Sequence, residues 1–144
     1  MSRRREYPTH PIPGVGIMIR EKDKILLIKR AANPDKGQWS VPGGLVEVGE
    51  TVKETAVREA LEETCLEVEL IERLGVVDKI EPDSSGEVLY HFIIIQYLAE
   101  VRGGELCAMD DALEAVWVTL DELRDYDLTD SLRDFLIQIN MYPE

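Results

Sequence analysis

Between Gly44 and Leu66 the chain reads GLVEVGETVKETAVREALEETCL, and no other stretch restricts the fold as much. Thr51 followed by Glu54 is a capping-box pattern, in which each side chain accepts from the other residue's backbone N–H. It predicts a helix running from Thr51 to Thr64. Val52, Ala56 and Ala60 recur at four-residue spacing, so one face of that helix must pack against another element. At about 100° per residue, Glu59 and Glu63 sit one turn apart on a shared face, with Glu62 on its flank. The three carboxylates then fall within an arc of about 100°, bordering Val52 and Ala56.

Carboxylates that close repel one another. On a surface helix the cost is a few tenths of a kcal/mol per pair, and partial burial raises it by disfavouring each charge. A hard divalent cation resolves the conflict, because magnesium takes oxygen ligands and shares its shell with substrate phosphates. Gly44, without a Cβ, lets its carbonyl approach the same cation. Taken alone, three glutamates read as readily as a solvated acidic face. Arg58 adds a rigid fork suited to holding a carboxylate, eight residues after Glu50, and a loop folding back brings the two together. The bland alternative for Arg58 is a surface ion pair of little worth.

Elsewhere the pattern is strand-rich. Ile12 to Arg20 and Lys24 to Arg30 read as paired strands joined through Glu21-Lys22-Asp23. Asn33-Pro34-Asp35 and Gly37 mark a loop, and Trp39 to Val41 is a short extended piece ending at Pro42-Gly43-Gly44. Leu66 to Ile80 alternates imperfectly and reads as one or two strands. Pro82 to Gly86 reads as a turn. Val88 to Val101 reads as a long strand, central because Phe92 to Ile95 is apolar on both faces. Gly103-Gly104 reads as a second turn and Ala115 to Val118 as a short strand. Leu120 to Arg124 and Leu128 to Ile139 read as helical. Strands surrounding isolated helices predict a mixed sheet with helices packed on it.

The 144 residues fit one domain spanning 1–144, and 44% hydrophobic content is enough for a core. No apolar run approaches the roughly 20 residues that span a bilayer, and no apolar segment follows Ser2-Arg3-Arg4-Arg5, so neither a membrane nor a secretory signal is expected. Two cysteines, Cys65 and Cys107, are too few for a disulfide framework and lack metal-site spacing, which points to a reducing cytoplasm. Twenty-nine acids against 16 bases give a net charge of -13. That surface repels nucleic-acid duplexes, and it repels a small anion too unless metal cations bridge them.

The stretch from Gly44 to Leu66 resembles the signature of the Nudix hydrolases: glycine, five residues, glutamate, seven residues, Arg-Glu, an aliphatic, one residue, Glu-Glu, one residue, glycine, aliphatic. Every charged position matches. Ala60 is small for its aliphatic slot, and Cys65 stands where the family has a glycine. Glycine there ends the helix in a left-handed conformation, which costs a cysteine about 1 kcal/mol or more. Leu26 to Arg30, Trp39 to Gly44 and Glu114 to Val118 also resemble flanking elements of the family. The resemblance implies an α/β fold, an α/β/α sandwich with a mixed β-sheet.

It implies magnesium, with manganese as a substitute, held by Glu59, Glu62, Glu63 and the Gly44 carbonyl. Glu59 is alternatively the base that deprotonates the attacking water. Glu50 and Arg58 become an internal pair orienting loop and helix. Asp110, Asp111 and Glu114 lie on the loop before Trp117, where family members carry an extra acid; each reads equally as a solvated loop acid. Arg30 ends its strand near the expected cleft as a phosphate contact or a surface cation. Trp39 is a base-stacking platform or a core ring. His91 reads as a core histidine.

The substrate implied is a small nucleoside diphosphate derivative. Thr9-His10-Pro11, Tyr90-His91-Phe92, Pro82 and the Asp110 to Val118 segment resemble the subgroup assigned as ADP-ribose pyrophosphatases, some of which form homodimers. A MutT-like nucleoside triphosphate pyrophosphohydrolase is the alternative. A non-catalytic ligand-sensing module is a third reading, disfavoured because every acid of the signature is present.

Overall fold

Aliphatic and β-branched residues fill Ile12–Glu21 and Lys24–Arg30, and these become strands β1 and β2, joined by a tight turn in which Lys22 has a φ of 57°. A computed structural model describes residues 5–107 and 112–143. The other strands are β3 (Trp39–Ser40), β4 (Gly43–Leu45), β5 (Leu66–Pro82), β6 (Val88–Gly104) and β7 (Ala112–Thr119). Helix α1 is Val52–Thr64, a 3-10 turn spans Leu120–Asp125, and helix α2 is Asp130–Gln138.

The strands make one mixed sheet whose main path is β3-β2-β1-β6-β5, with β4 paired to β1 and β7 to β2. β1 and β6 are parallel, Ile12–Arg20 beside Phe92–Glu100. The remaining strand pairs are antiparallel. β6 lies between β1 and β5, which accounts for its apolar residues on both faces. β1 changes partner along its length: Gly14 to Gly16 pair with β4, whereas only Arg20 and Glu21 pair with β2.

Side-chain alternation along the strands feeds two cores. Val15, Ile17 and Leu26 pack with Ala56 and Ala60 of α1 on one face. Met18, Leu27 and Val118 pack with Leu132 and Leu136 of α2 on the other. Ile17, Leu26, Leu27 and Leu136 are fully buried, each worth about 1.5–3 kcal/mol over an exposed side chain. The result is the expected α/β/α sandwich. No described helix is long and apolar enough to cross a membrane.

Three local expectations are corrected. Gly43 and Gly44 do not merely end an extended piece; with Leu45 they form β4 on β1. Glycine is a weak strand former, and close approach decides the matter here. A Cβ on Gly43 would collide with the Val15 carbonyl, so only glycine lets the strands meet. Gly103-Gly104 is not a turn either. Both stay in β6, opposite Glu67 and Leu66, and a Cβ on Gly104 would strike the Cys65 carbonyl.

The third correction concerns the cysteines. Cys65 and Cys107, 42 residues apart, form a disulfide with Cα atoms 5.6 Å apart, inside the usual range. Pairing of Leu66 with Gly104 draws together the segments that carry them, and the Cys107 N–H donates to the Thr64 carbonyl at 2.9 Å. Few cysteines thus do not mean unpaired ones, and their number carries no argument about compartment. Cys65 itself ends α1 in the left-handed region, φ 65° and ψ 11°, its N–H donating to Leu61 at 2.9 Å. The helix therefore ends as a glycine would end it, with a residue that disfavours that conformation.

Candidate active site

The Thr51–Glu54 capping box forms as the sequence implies and fixes where α1 begins. From that start, the carboxyl-bearing turns of α1 come to lie against the loop that follows β4. Arg58 is the hub. Its Nε donates to Glu50 Oε2 at 2.6 Å and its Nη2 to Glu50 Oε1 at 2.9 Å, a two-pronged ion pair. Its Nη1 donates to Glu59 at 2.7 Å and to Glu62 at 3.1 Å. Its Nη2 also reaches the Leu45 carbonyl at 3.3 Å, which ties the guanidinium to β4. The Glu50–Arg58 pair expected from an eight-residue spacing is thus present.

Thr55, a residue the sequence reading passed over, completes the clamp. It is fully buried, and its hydroxyl donates to Glu50 at 2.6 Å. A polar residue on the packed face of an amphipathic helix was the available signal. Hydrogen bonds from Arg58 and then Thr55 hold the Glu50 carboxyl at about 2, below its ordinary 4.5. The same pair pushes Arg58 upward, chiefly through its bonds to Glu50.

A carboxyl depressed on folding contributes stability that is complete above about 4.5 and is lost as pH falls toward about 2. Glu50→Gln should therefore be less stable than the parent near pH 6, and the gap should close as pH falls to about 2. Urea midpoints measured for both across that window check this. A gap independent of pH would mean that the ion pair contributes nothing to it.

The signature glutamates differ in surroundings. Glu63 is only 9% exposed and accepts the Gly43 N–H at 2.9 Å. Glu59 lies against Gly44, where a Cβ would overlap its carboxyl group. Glu62 is the outer one, with its side chain 59% exposed. Both glycines pair with β1; in addition Gly44 leaves room for the Glu59 carboxylate, and the Gly43 N–H anchors Glu63. Gly43 was not among the expected site residues.

Among the described residues, no three acidic, histidine or cysteine side chains stand as a ready-made metal cage. Arg58 and the Gly43 N–H hold carboxylates that a cation would share. By donor chemistry the residues still fit a hard divalent ion: the oxygens belong to carboxylates crowded against a Cβ-free backbone.

The outlying candidates take other partners. Arg30 donates from Nε to the Pro34 carbonyl at 2.6 Å, within the loop after β2. Trp39 packs against the α2-side core and meets Tyr126 edge to face, with ring centroids 5.2 Å apart. His91 is half-buried in β6. Glu114 is not on a loop: it lies in β7 opposite Lys29, because β7 begins at Ala112 and pairs along β2. Asp110 and Asp111 lie outside the described residues. A hollow of about 470 Å³ borders the loop after β4, lined by Tyr7, Pro8, His10, Ile12, Val46 and Val48. Glu47, on its rim, stands 4.0 Å from Arg58.

A family described as NUDIX domain matches residues 10–139. Over 114 residues the chain is 46% identical to a Methanocaldococcus jannaschii protein named ADP-ribose pyrophosphatase, covering 79% of this chain and 65% of that one. It is 29% identical over 116 residues to a MutT-like protein of Streptomyces ambofaciens, covering 81% and 68%. A crystal structure of a MutT NUDIX hydrolase from Burkholderia pseudomallei aligns with a TM-score of 0.79 and 35% identity, over 90% of this chain and 98% of that one. The chain thus spans a little under two thirds of its M. jannaschii relative.

Proposed function

The chain belongs to the Nudix family, and on that footing we propose that it hydrolyses the diphosphate linkage of ADP-ribose to AMP and ribose 5-phosphate in a divalent-metal-dependent reaction. The observation that carries the reaction class is the Arg58 hub, which gathers Glu50, Glu59 and Glu62 beside Gly44 and the Gly43 N–H that seats Glu63. Glu59, Glu62, Glu63 and the Gly44 carbonyl would hold magnesium, with manganese as a substitute. When bound, the metal neutralises charge on the diphosphate and lowers the pKa of the attacking water.

The protein's own contribution is positional. Glu50, Thr55 and Arg58 fix the loop against α1, so that the carboxylates meet the substrate with little reorganisation. One signature glutamate takes the proton from water. The oxygen of that water bonds to phosphorus, and the bond from that phosphorus to the bridging oxygen breaks. Arg30 lies at the end of β2 as a cation for a phosphate oxygen. The cluster of acids makes the site repel anions without metal, which ties substrate binding to metal binding.

The substrate assignment rests on the relative named ADP-ribose pyrophosphatase. The hollow beside the β4 loop has the volume to take a sugar-bearing part of a nucleotide, which either substrate carries. The MutT-like names among the relatives keep the triphosphate reading in play. Catalytic efficiency on ADP-ribose should exceed that on canonical and oxidised nucleoside triphosphates. A triphosphate preferred by more than about tenfold, roughly 1.4 kcal/mol in transition-state binding, would move the assignment to the alternative. Silence across the whole panel with magnesium present would favour the sensing module.

A further inference from the structure

One residue row crosses four strands of the sheet: Gly43 on β4, Gly16 on β1, Gln96 on β6 and Gly75 on β5. Gln96 is the one residue of the row with a side chain. It is 7% exposed, and among the described residues its amide makes no hydrogen bond. Among the described residues every fully enclosed side-chain nitrogen or oxygen has a partner, so the amide keeps some contact with solvent. A buried amide with neither a protein partner nor full hydration costs stability. Such a group calls for an explanation.

The glycines show which way the amide points. A Cβ on Gly16 would collide with Gln96 Oε1 and stand 2.8 Å from both Cδ and Nε2. The side chain therefore leans from β6 across β1. On its other side Gly75 is covered by the Phe135 ring of α2, 3.2 Å from where a Cβ would be. The amide thus rests over β1, the strand between β6 and β4, on the face of the sheet that α2 covers, whereas α1 lies on the other face. On β4, Gly43 donates to Glu63. Two strand spacings separate Gln96 from Gly43, about 10 Å. That is too far for a role at the reacting phosphorus and within the length of a nucleotide whose diphosphate lies at the signature glutamates.

An uncharged amide is a poor partner for phosphate or metal. It offers one donor and one acceptor in a plane, which matches a heterocycle edge that presents one of each, as glutamine matches adenine. We propose that Gln96 is a specificity-determining residue that hydrogen-bonds the adenine edge of the substrate through N6. This rests on the nucleotide reading above.

The test uses binding, so that it does not depend on hydrolysis. Affinities of AMP and of 1,N6-etheno-AMP, in which the N6 donor is consumed by the added ring, are measured by calorimetry on the parent and on Gln96→Leu. The parent should bind AMP about tenfold or more tightly than the etheno form, and Gln96→Leu should bind both within about twofold. Gly16→Ala, which takes the space the amide occupies, should lose the same discrimination, and Gln96→Glu should not restore it. Thermal unfolding of each variant confirms folding. An unchanged AMP preference in folded Gln96→Leu, or no preference in the parent, overturns the proposal. A purely structural glutamine would lower the melting temperature and leave the ratio alone. Should ADP-ribose resist hydrolysis while the AMP discrimination holds, the substrate reading fails and this one stands.

Discussion

Protein stripped of divalent cations and assayed in excess chelator should turn over ADP-ribose roughly 1000-fold more slowly or worse, with activity returning on added magnesium or manganese. The size follows from charge. Glu59 and Glu63 lie against the Gly43-Gly44 backbone with little room for water, in a chain whose net charge is -13. A diphosphate brings more negative charge to that place. Arg58 cannot offset it, because its donors are already engaged by Glu50, Glu59 and Glu62 and by the Leu45 carbonyl. With Arg58 engaged, an external cation would supply positive charge that Arg30 alone does not match against three carboxylates and a diphosphate. Full turnover by metal-free protein in excess chelator would remove the basis for the proposed reaction. The folded state should persist under chelation, since the ion-pair network closes on itself without metal, and circular dichroism with and without chelator checks this.

What could be read from the sequence was whatever local spacing encodes. The capping box at Thr51 and Glu54 placed the start of α1, and helical periodicity then set Glu59, Glu62 and Glu63 relative to Arg58. The eight-residue interval between Glu50 and Arg58 pointed to a fold-back that exists. The apolar centre of β6 announced an interior strand. What could not be read depended on chain segments meeting across the sheet. Gly43-Gly44 looked like a terminator because propensity penalises glycine in strands; the crowding by Val15 and Glu59 that demands glycine is visible only in three dimensions. Cys65 and Cys107 gave no hint of each other, since their proximity comes from the register that opposes Leu66 to Gly104. Glu114 looked like a loop acid because four of the five residues from Asp110 to Glu114 lack strand character; its pairing with Lys29 is imposed by β2. Gln96 sat in a run of aliphatic residues as an unremarked polar interruption, and only the glycines beside it give it meaning.

Glu63→Gln should lower turnover of ADP-ribose by roughly 100-fold or more while leaving the protein folded. Glu63 is the most enclosed of the three signature glutamates, 9% exposed, and it accepts the Gly43 N–H at 2.9 Å. Glutamine keeps the shape and an acceptor oxygen, so the bond to Gly43 and the attachment of α1 to β4 can survive. Only the charge is lost. Folding stability should be unchanged or slightly raised, because Glu59 and Glu63, one helical turn apart, no longer repel. The two effects therefore separate: a large fall in turnover with a level or rising melting temperature. Glu62→Gln is the internal comparison. Its side chain is 59% exposed and shares Arg58 with Glu59, so its loss should cost less than that of Glu63. Near-native turnover in Glu63→Gln would show that Glu63 serves only to pin β4 to α1, and the charge at the reacting phosphate would then have to be handled by Glu59 and Glu62.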